Sequence, residues 1–182
     1  MKRLETERLA LRNFHADDWQ ALRAMILQYQ ATPLALYDQP WPTSPEEIQR
    51  VTAWFAAGDA YLAVCLKESG QFIGFVALND ESRDGRRQYN LGYIFDADYH
   101  GQGYATEACR AVLDDAFQRL GADAVVTGTA EANLASRRLL EQLGFVKTRE
   151  TISMFQATPD GQPIEFLGYS YELAKGARPR SS

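Results

Sequence analysis

Residues 89–120 read YNLGYIFDADYHGQGYATEACRAVLDDAFQRL, and this stretch decides the fold. Residues 89–95 read as a strand, residues 98–105 as a turn containing Gly101 and Gly103, and the rest as a long helix. Ala105, Ala108, Cys109, Val112, Leu113, Ala116, Phe117 and Leu120 recur at three-and-four spacing. Thr106, Glu107, Arg110, Asp114, Asp115, Gln118 and Arg119 fill the opposite face, the pattern of an amphipathic helix. A strand that passes through glycines into a helix aims free backbone N–H groups and the positive helix end at one point, which suits an anion. The dipole contributes only about 0.3–1 kcal/mol. Direct N–H bonds to charged oxygens must therefore supply most of the binding. A dinucleotide fingerprint fails because Thr106 stands where its third glycine belongs, and a P-loop fails for want of Gly-Lys-Ser/Thr. On the residues alone, the turn is a phosphate cradle or a tight structural turn.

Working outward, residues 8–14 alternate apolar and polar as a first strand would. Asp17 and Asp18 can start a helix to about Tyr29, with Trp19, Leu22, Met25 and Ile26 on one face. Residues 30–45 hold four of the seven prolines and read as a shaped loop. Ser44, Pro45, Glu46 and Glu47 form a helix start, and that helix stops near Gly58. Strands are expected over residues 61–67 and 72–79, then a surface hairpin loop over 80–88 leads into the deciding stretch. Beyond Gly121 come a strand over 124–130, a short helix capped by Asn133 and closed by Gly144, and two strands near 145–156 and 164–173. The order β-α-α-β-β-β-α-β-α-β-β predicts a mixed α/β sheet with helices on both faces. One domain is expected over residues 1–173, with a disordered tail over 174–182.

Composition narrows the function classes. The net charge of −5 argues against a nucleic-acid partner, which needs a positive face. The two cysteines, Cys65 and Cys109, lie in apolar runs and read as buried, reduced thiols. With two histidines, His15 and His100, no metal site is expected. The N-terminal residues lack an apolar signal region and no run reaches membrane-spanning length, so a cytoplasmic protein with no membrane partner is expected.

The run D-Y-H-G-Q-G-Y-A-T-E-A over residues 98–108 resembles the pyrophosphate-binding motif of the GNAT N-acetyltransferases, in the wording of their RimJ/RimL branch. E-T-E-R-L-A-L-R over 5–12, L-G-Y-I-F over 91–95 and N-L-A-S-R-R-L-L-E-Q-L-G-F over 133–145 are similar to the same branch, in the right order across nearly the whole chain. The resemblance implies a mostly antiparallel sheet of about seven strands, splayed between the fourth and fifth. It also implies acetyl-CoA as co-substrate and an amine-bearing acceptor, either a peptide or protein N-terminus or a small amine. Members of the family are often dimers, so a homodimer is expected on the same ground.

Carried over residue by residue, the resemblance gives Phe95 a backbone N–H that bonds the thioester oxygen or its oxyanion, an oxyanion-hole role. The amides of His100, Gly101, Gln102, Gly103, Tyr104 and Ala105 are expected to hold the pyrophosphate. The His100 ring faces the phosphates in preference to acting as a base. Asp98 stands where the superfamily often has Gln or Arg, which removes one donor. Asn133 matches the asparagine near the pantetheine arm and can also be a plain helix cap. Ser136 is the candidate to bond the sulfur or protonate the departing thiolate, or else satisfies a local backbone group. The tyrosine that many members use as acid is replaced by Leu140.

The acceptor amine must be neutral to attack. At pH 7 a lysine-like amine costs roughly 4.6 kcal/mol to deprotonate and an α-amino group only about 1 kcal/mol. Relatives carry a glutamate where this chain has Asn90, which cannot act as a base. Glu131 is the nearest alternative acid, or else a solvated carboxylate. The resemblance places residues 30–45 and the final hairpin around the acceptor, with Tyr37, Trp41, Asn90 and Phe155 as lining candidates. Leu140 and Asn90 keep a second reading open: a catalytically weakened acyl-CoA-binding or regulatory module of the same fold.

Overall fold

The computed structural model describes residues 3–177. Its strands are β1 (Arg3–Glu5), β2 (Leu9–Asn13), β3 (Tyr61–Leu66), β4 (Phe72–Asp80), β5 (Gln88–Phe95), β6 (Ala124–Ala130), β7 (Val146–Ala157) and β8 (Pro163–Ala174). Its α-helices are α1 (Trp19–Gln30), α2 (Pro45–Ala57), α3 (Tyr104–Gln118) and α4 (Leu134–Gln142). The strands form one sheet in the order β1-β2-β3-β4-β5-β6-β8-β7. Every neighbouring pair is antiparallel except β5–β6. The expected sheet of about seven strands therefore has eight. The additional one is β1, whose three residues are too few to show an alternation.

Period-two alternation on the central strands divides the interior into two cores. On β3, Leu62 and Val64 join α3 and α4 residues on one face, whereas Ala63 and Cys65 join α1 and α2 residues on the other. Helices thus cover both faces, as expected. On β4 the parity switches: Phe72, Phe75 and Ala77 face α1 and α2, while Ile73, Val76 and Leu78 face α3. The cause is a register shift in which Val64 pairs with Gly74 and Cys65 with Phe72, leaving Ile73 as the extra residue of a β-bulge. A side chain at Gly74 would bring its Cβ within 2.6 Å of the Ile94 carbonyl oxygen and 2.7 Å of the Phe95 ring, so only glycine fits there.

The helices follow their sequence signals. Ser44 Oγ accepts the Glu47 N–H and donates to the Glu47 carboxylate at 2.6 Å, with Pro45 in the first turn of α2. Asn133 Oδ1 accepts the Ser136 N–H at 3.1 Å and caps α4. On α3, Ala108, Cys109, Val112, Leu113 and Ala116 are buried along one stripe. A 3-10 turn, Ala16–Asp18, occupies the expected start of the first helix, and Asp18 is held there by a bidentate pair with Arg12. The proline-rich loop contains a second 3-10 turn, Pro33–Tyr37. Both thiols are buried and unpaired. β8 extends to Ala174, and the Lys175 N–H donates to the Asp123 carbonyl. Residues 178–182 of the expected tail lie outside the described residues. No helix among them is long and apolar enough to cross a membrane.

Candidate active site

The site lies where the sheet opens. β5 and β6 pair only through Gln88–Asn90 with Ala124–Val126, and the rest of the two strands diverges. Thr127, nearly fully buried, sits at the apex and donates its Oγ1–H to the Leu91 carbonyl at 2.8 Å. That bond shows Leu91 presenting its backbone groups toward β6. Backbone groups change side at each residue along a strand, so Tyr93 and Phe95 present theirs to the same gap. The next residue agrees: the Asp96 N–H donates the other way, to the Ile73 carbonyl at 3.0 Å. The expected splay is therefore present between β5 and β6, and the Phe95 N–H faces into it.

The glycine turn closes one end of this gap. Gly101 and Gly103 have φ of 73° and 80°, the left-handed region that favours glycine. Gly103 caps α3 without a side-chain acceptor, and the first helical bond runs from the Glu107 N–H to the Gly103 carbonyl. Among the described residues, no acceptor meets the N–H groups of Gly101, Gln102, Gly103, Tyr104, Ala105 or Thr106. Six free amides at the positive end of a fifteen-residue helix fit a pyrophosphate. His100 departs from the expected set. Its N–H donates to the Ala97 carbonyl at 3.1 Å, so the run of free amides starts at Gly101. Its ring Nε2 lies 2.9 Å from the Phe95 carbonyl, which can only accept, so Nε2 carries the proton. The ring thus pins the end of β5 beside the gap.

A negative charge in the first turn of α3 would oppose a phosphate, and Glu107 is such a charge. It is neutralised from the β1–β2 connection. Thr6 Oγ1 donates to Oε1 at 2.5 Å, the Arg8 N–H to the same oxygen at 3.0 Å, and the Arg8 guanidinium to Oε2 at 2.6 and 2.7 Å. Arg8 Nη1 also donates to the Gln102 carbonyl at 3.0 Å, and its guanidinium covers the Tyr104 ring at 4.3 Å. Burial would raise the Glu107 carboxyl, but the bonds from Thr6 and Arg8 outweigh it and hold the group below its usual range. The clamp thus fixes the turn and removes a repulsive charge.

On the opposite wall, Ser136 Oγ lies 2.7 Å from the Tyr93 hydroxyl, so the first turn of α4 reaches across the splay to β5. Burial pushes the Tyr93 phenol upward and keeps it protonated. Leu140 is fully buried in the α3–α4 core. Glu131 follows β6, is about half exposed, and faces Arg137 at 3.5 Å. Asn90 lies in the paired end of β5, opposite Asn79 and Val126.

The acceptor candidates separate into two groups. Phe166 brings Tyr37 and Phe155 together, with ring centroids 5.3 and 5.5 Å away. The Gln156 side chain ties that hairpin to the Ala35 and Asp38 carbonyls. Trp41 instead packs on Phe55 and Phe75 in the α1–α2 core, at 6.4 and 5.9 Å. Sequence reasoning did not single out Arg8, Thr6, Glu107, Tyr93 or Phe166. Four of these five stand in or beside the quoted motifs, but charge pairs a hundred residues apart leave no local pattern.

Residues 8–146 match the family model described as the acetyltransferase (GNAT) domain. The uncharacterised N-acetyltransferase YnaD of Bacillus subtilis is 25% identical over 143 residues, covering 78% of this chain and 81% of that protein. The putative ribosomal N-acetyltransferase YdaF of the same organism is 30% identical over 78 residues, 43% of this chain and 42% of that one. In three dimensions, an acetyltransferase of the GNAT family from Bacillus anthracis superposes with a TM-score of 0.79 at 20% identity, covering 96% of this chain and 99% of that one. At that identity the superposition speaks for the fold.

Proposed function

Since the chain belongs to the acetyltransferase (GNAT) domain family and is an acetyl-CoA-dependent N-acetyltransferase, we propose that it acetylates a primary amine, foremost the α-amino group of a peptide or protein. The observation that carries the reading is the open β5–β6 gap, with the Phe95 N–H facing it and six free amides at its end. The amides from Gly101 to Thr106 hold the pyrophosphate. The Phe95 N–H donates to the thioester oxygen and stabilises the charge that grows there as nitrogen attacks. Ser136 Oγ serves the sulfur, and Asn133 holds the turn that carries Ser136.

An α-amino acceptor is favoured because no carboxylate stands at the Asn90 position and Glu131 is engaged with Arg137. Deprotonating an α-amine costs only about 1 kcal/mol at pH 7, which a water relay can meet without a side-chain base. The partial match to YdaF, named a putative ribosomal N-acetyltransferase, supports a protein acceptor. Tyr37, Phe155 and Phe166 then form an apolar wall beside it. The test is thiol release from acetyl-CoA with a panel of peptides, lysine amides and polyamines at pH 7 and 9. Expected is release with free peptide N-termini at both pH values, and with lysine amides weakly and only at pH 9. Tight acetyl-CoA binding with no release to any amine would instead support the non-catalytic acyl-CoA-binding module.

For assembly, we propose a homodimer through β7. This edge strand exposes Val146, Ile152 and Met154, and unpaired edges invite a second chain.

A further inference from the structure

We infer that Tyr93 is a positioning residue for acetyl transfer, its phenol holding Ser136 Oγ so that the serine proton is free to face the departing sulfur. The inference rests on the acetyltransferase reading above. Leu140 occupies the place on α4 where a tyrosine is common, and it is fully buried in the core. A phenol nevertheless reaches this helix from the facing wall, with Tyr93 Oη 2.7 Å from Ser136 Oγ.

The direction of the bond is part of the inference. Among the described residues the phenol has no other hydrogen-bond partner. Either hydroxyl can donate here, and each choice leaves the other proton without an acceptor inside the protein. The inference makes Tyr93 the donor because the remaining proton is then the serine's, which the departing sulfur can take. With Tyr93 donating, the phenol proton is satisfied and the serine O–H is available to the sulfur. Burial keeps the phenol in its protonated, donating form through the working pH range.

Ser136 is then fixed at two points from two elements: its N–H by Asn133 Oδ1 at 3.1 Å, and its oxygen by Tyr93. Tyr93 also turns its backbone groups into the gap that receives the thioester, two residues before Phe95. The two walls of the site are therefore registered against each other by this one bond. The step balances without a further reagent. The C–N bond forms, the C–S bond breaks with its electron pair going to sulfur, and the proton shed by the amine nitrogen ends on sulfur. The Ser136 hydroxyl relays that proton, giving one and taking one, while Tyr93 keeps its own.

The experiment is steady-state kinetics on Tyr93→Phe, Ser136→Ala and the double variant, with calorimetry for CoA. Tyr93→Phe is expected to lower kcat at least tenfold with KM for acetyl-CoA and CoA affinity within twofold. The double variant should be no slower than Ser136→Ala, because Tyr93 acts only through the serine. A plain packing role would predict multiplied losses in the double variant, and that result, or an unchanged kcat for Tyr93→Phe, overturns the inference. Should Tyr93→Phe fail to fold, Ser136→Thr and Ser136→Val carry the test. Threonine keeps the hydroxyl and should stay active while valine does not; equal rates for the two overturn the role. Absence of thiol release by the wild-type protein would overturn the acetyltransfer reading itself, whereas normal wild-type turnover with an insensitive Tyr93→Phe overturns only this step.

Discussion

Gly103 joins two demands at one residue: a left-handed backbone with φ of 80°, and a free amide at the head of α3. A valine there pays about 1–2 kcal/mol for the conformation. Its Cβ would also stand 3.4 Å from Arg8 Nη2, crowding the clamp that orients the turn. Gly103→Val is therefore expected to fold with slightly lowered stability and to bind CoA at least tenfold more weakly. Isothermal calorimetry beside thermal melting separates the two effects. Unchanged CoA affinity would remove the pyrophosphate from this turn. Leu140 teaches the complementary point. It reads in sequence as a missing acid, yet in the fold it is a fully buried core side chain, and the nearby hydroxyl comes from β5 instead.

At the scale of elements, the glycine turn is held by Thr6 and Arg8, which fasten the β1–β2 connection to Glu107 of α3. The folded-state carboxyl of Glu107 titrates below its ordinary value, so its stabilising effect is fully present above the unfolded pKa of about 4.5 and is lost as pH falls through the lower folded value. Glu107→Gln should accordingly be less stable than the parent at pH 7, with the difference shrinking below pH 4.5. Chemical denaturation at pH 7 and pH 3.5 checks this, and an equal gap at both would show that the clamp works by packing and not by charge. The elements themselves were legible in large part. Three-and-four spacing marked α3, Ser44-Pro45 opened α2 and Asn133 opened α4, because caps and periodicity are local physics. β1 was not legible, since three residues carry no period. Nor was the Ile73 bulge, which exists only because β3 and β4 must pair past it.

For the whole molecule, two cores on opposite faces of the sheet hold the central strands, while β7 stands at the edge with most of its side chains exposed. If two copies join along that edge, Ile152→Lys, at a position 58% exposed, should yield a monomer by light scattering with little change in melting temperature. A wild-type monomer at micromolar concentration would dismiss the β7 interface. The splay belongs to this scale too. β5 and β6 are neighbours for three residue pairs and then part, with the Thr127–Leu91 bond next to the last pair.

The sequence by itself determined the glycine turn, the helix that follows it, the caps and the family to which their wording belongs, because each is written within a few adjacent residues. Only the tertiary structure decided where the run of free amides begins, what neutralises Glu107 and which phenol meets Ser136. His100 spends its N–H on a local turn, Arg8 reaches Glu107 across 99 residues, and Tyr93 reaches Ser136 across 43. The reason is physical. Backbone conformation is set largely by neighbours along the chain, whereas charge neutralisation and hydroxyl orientation are set by neighbours in space, and chain order alone does not say which those are.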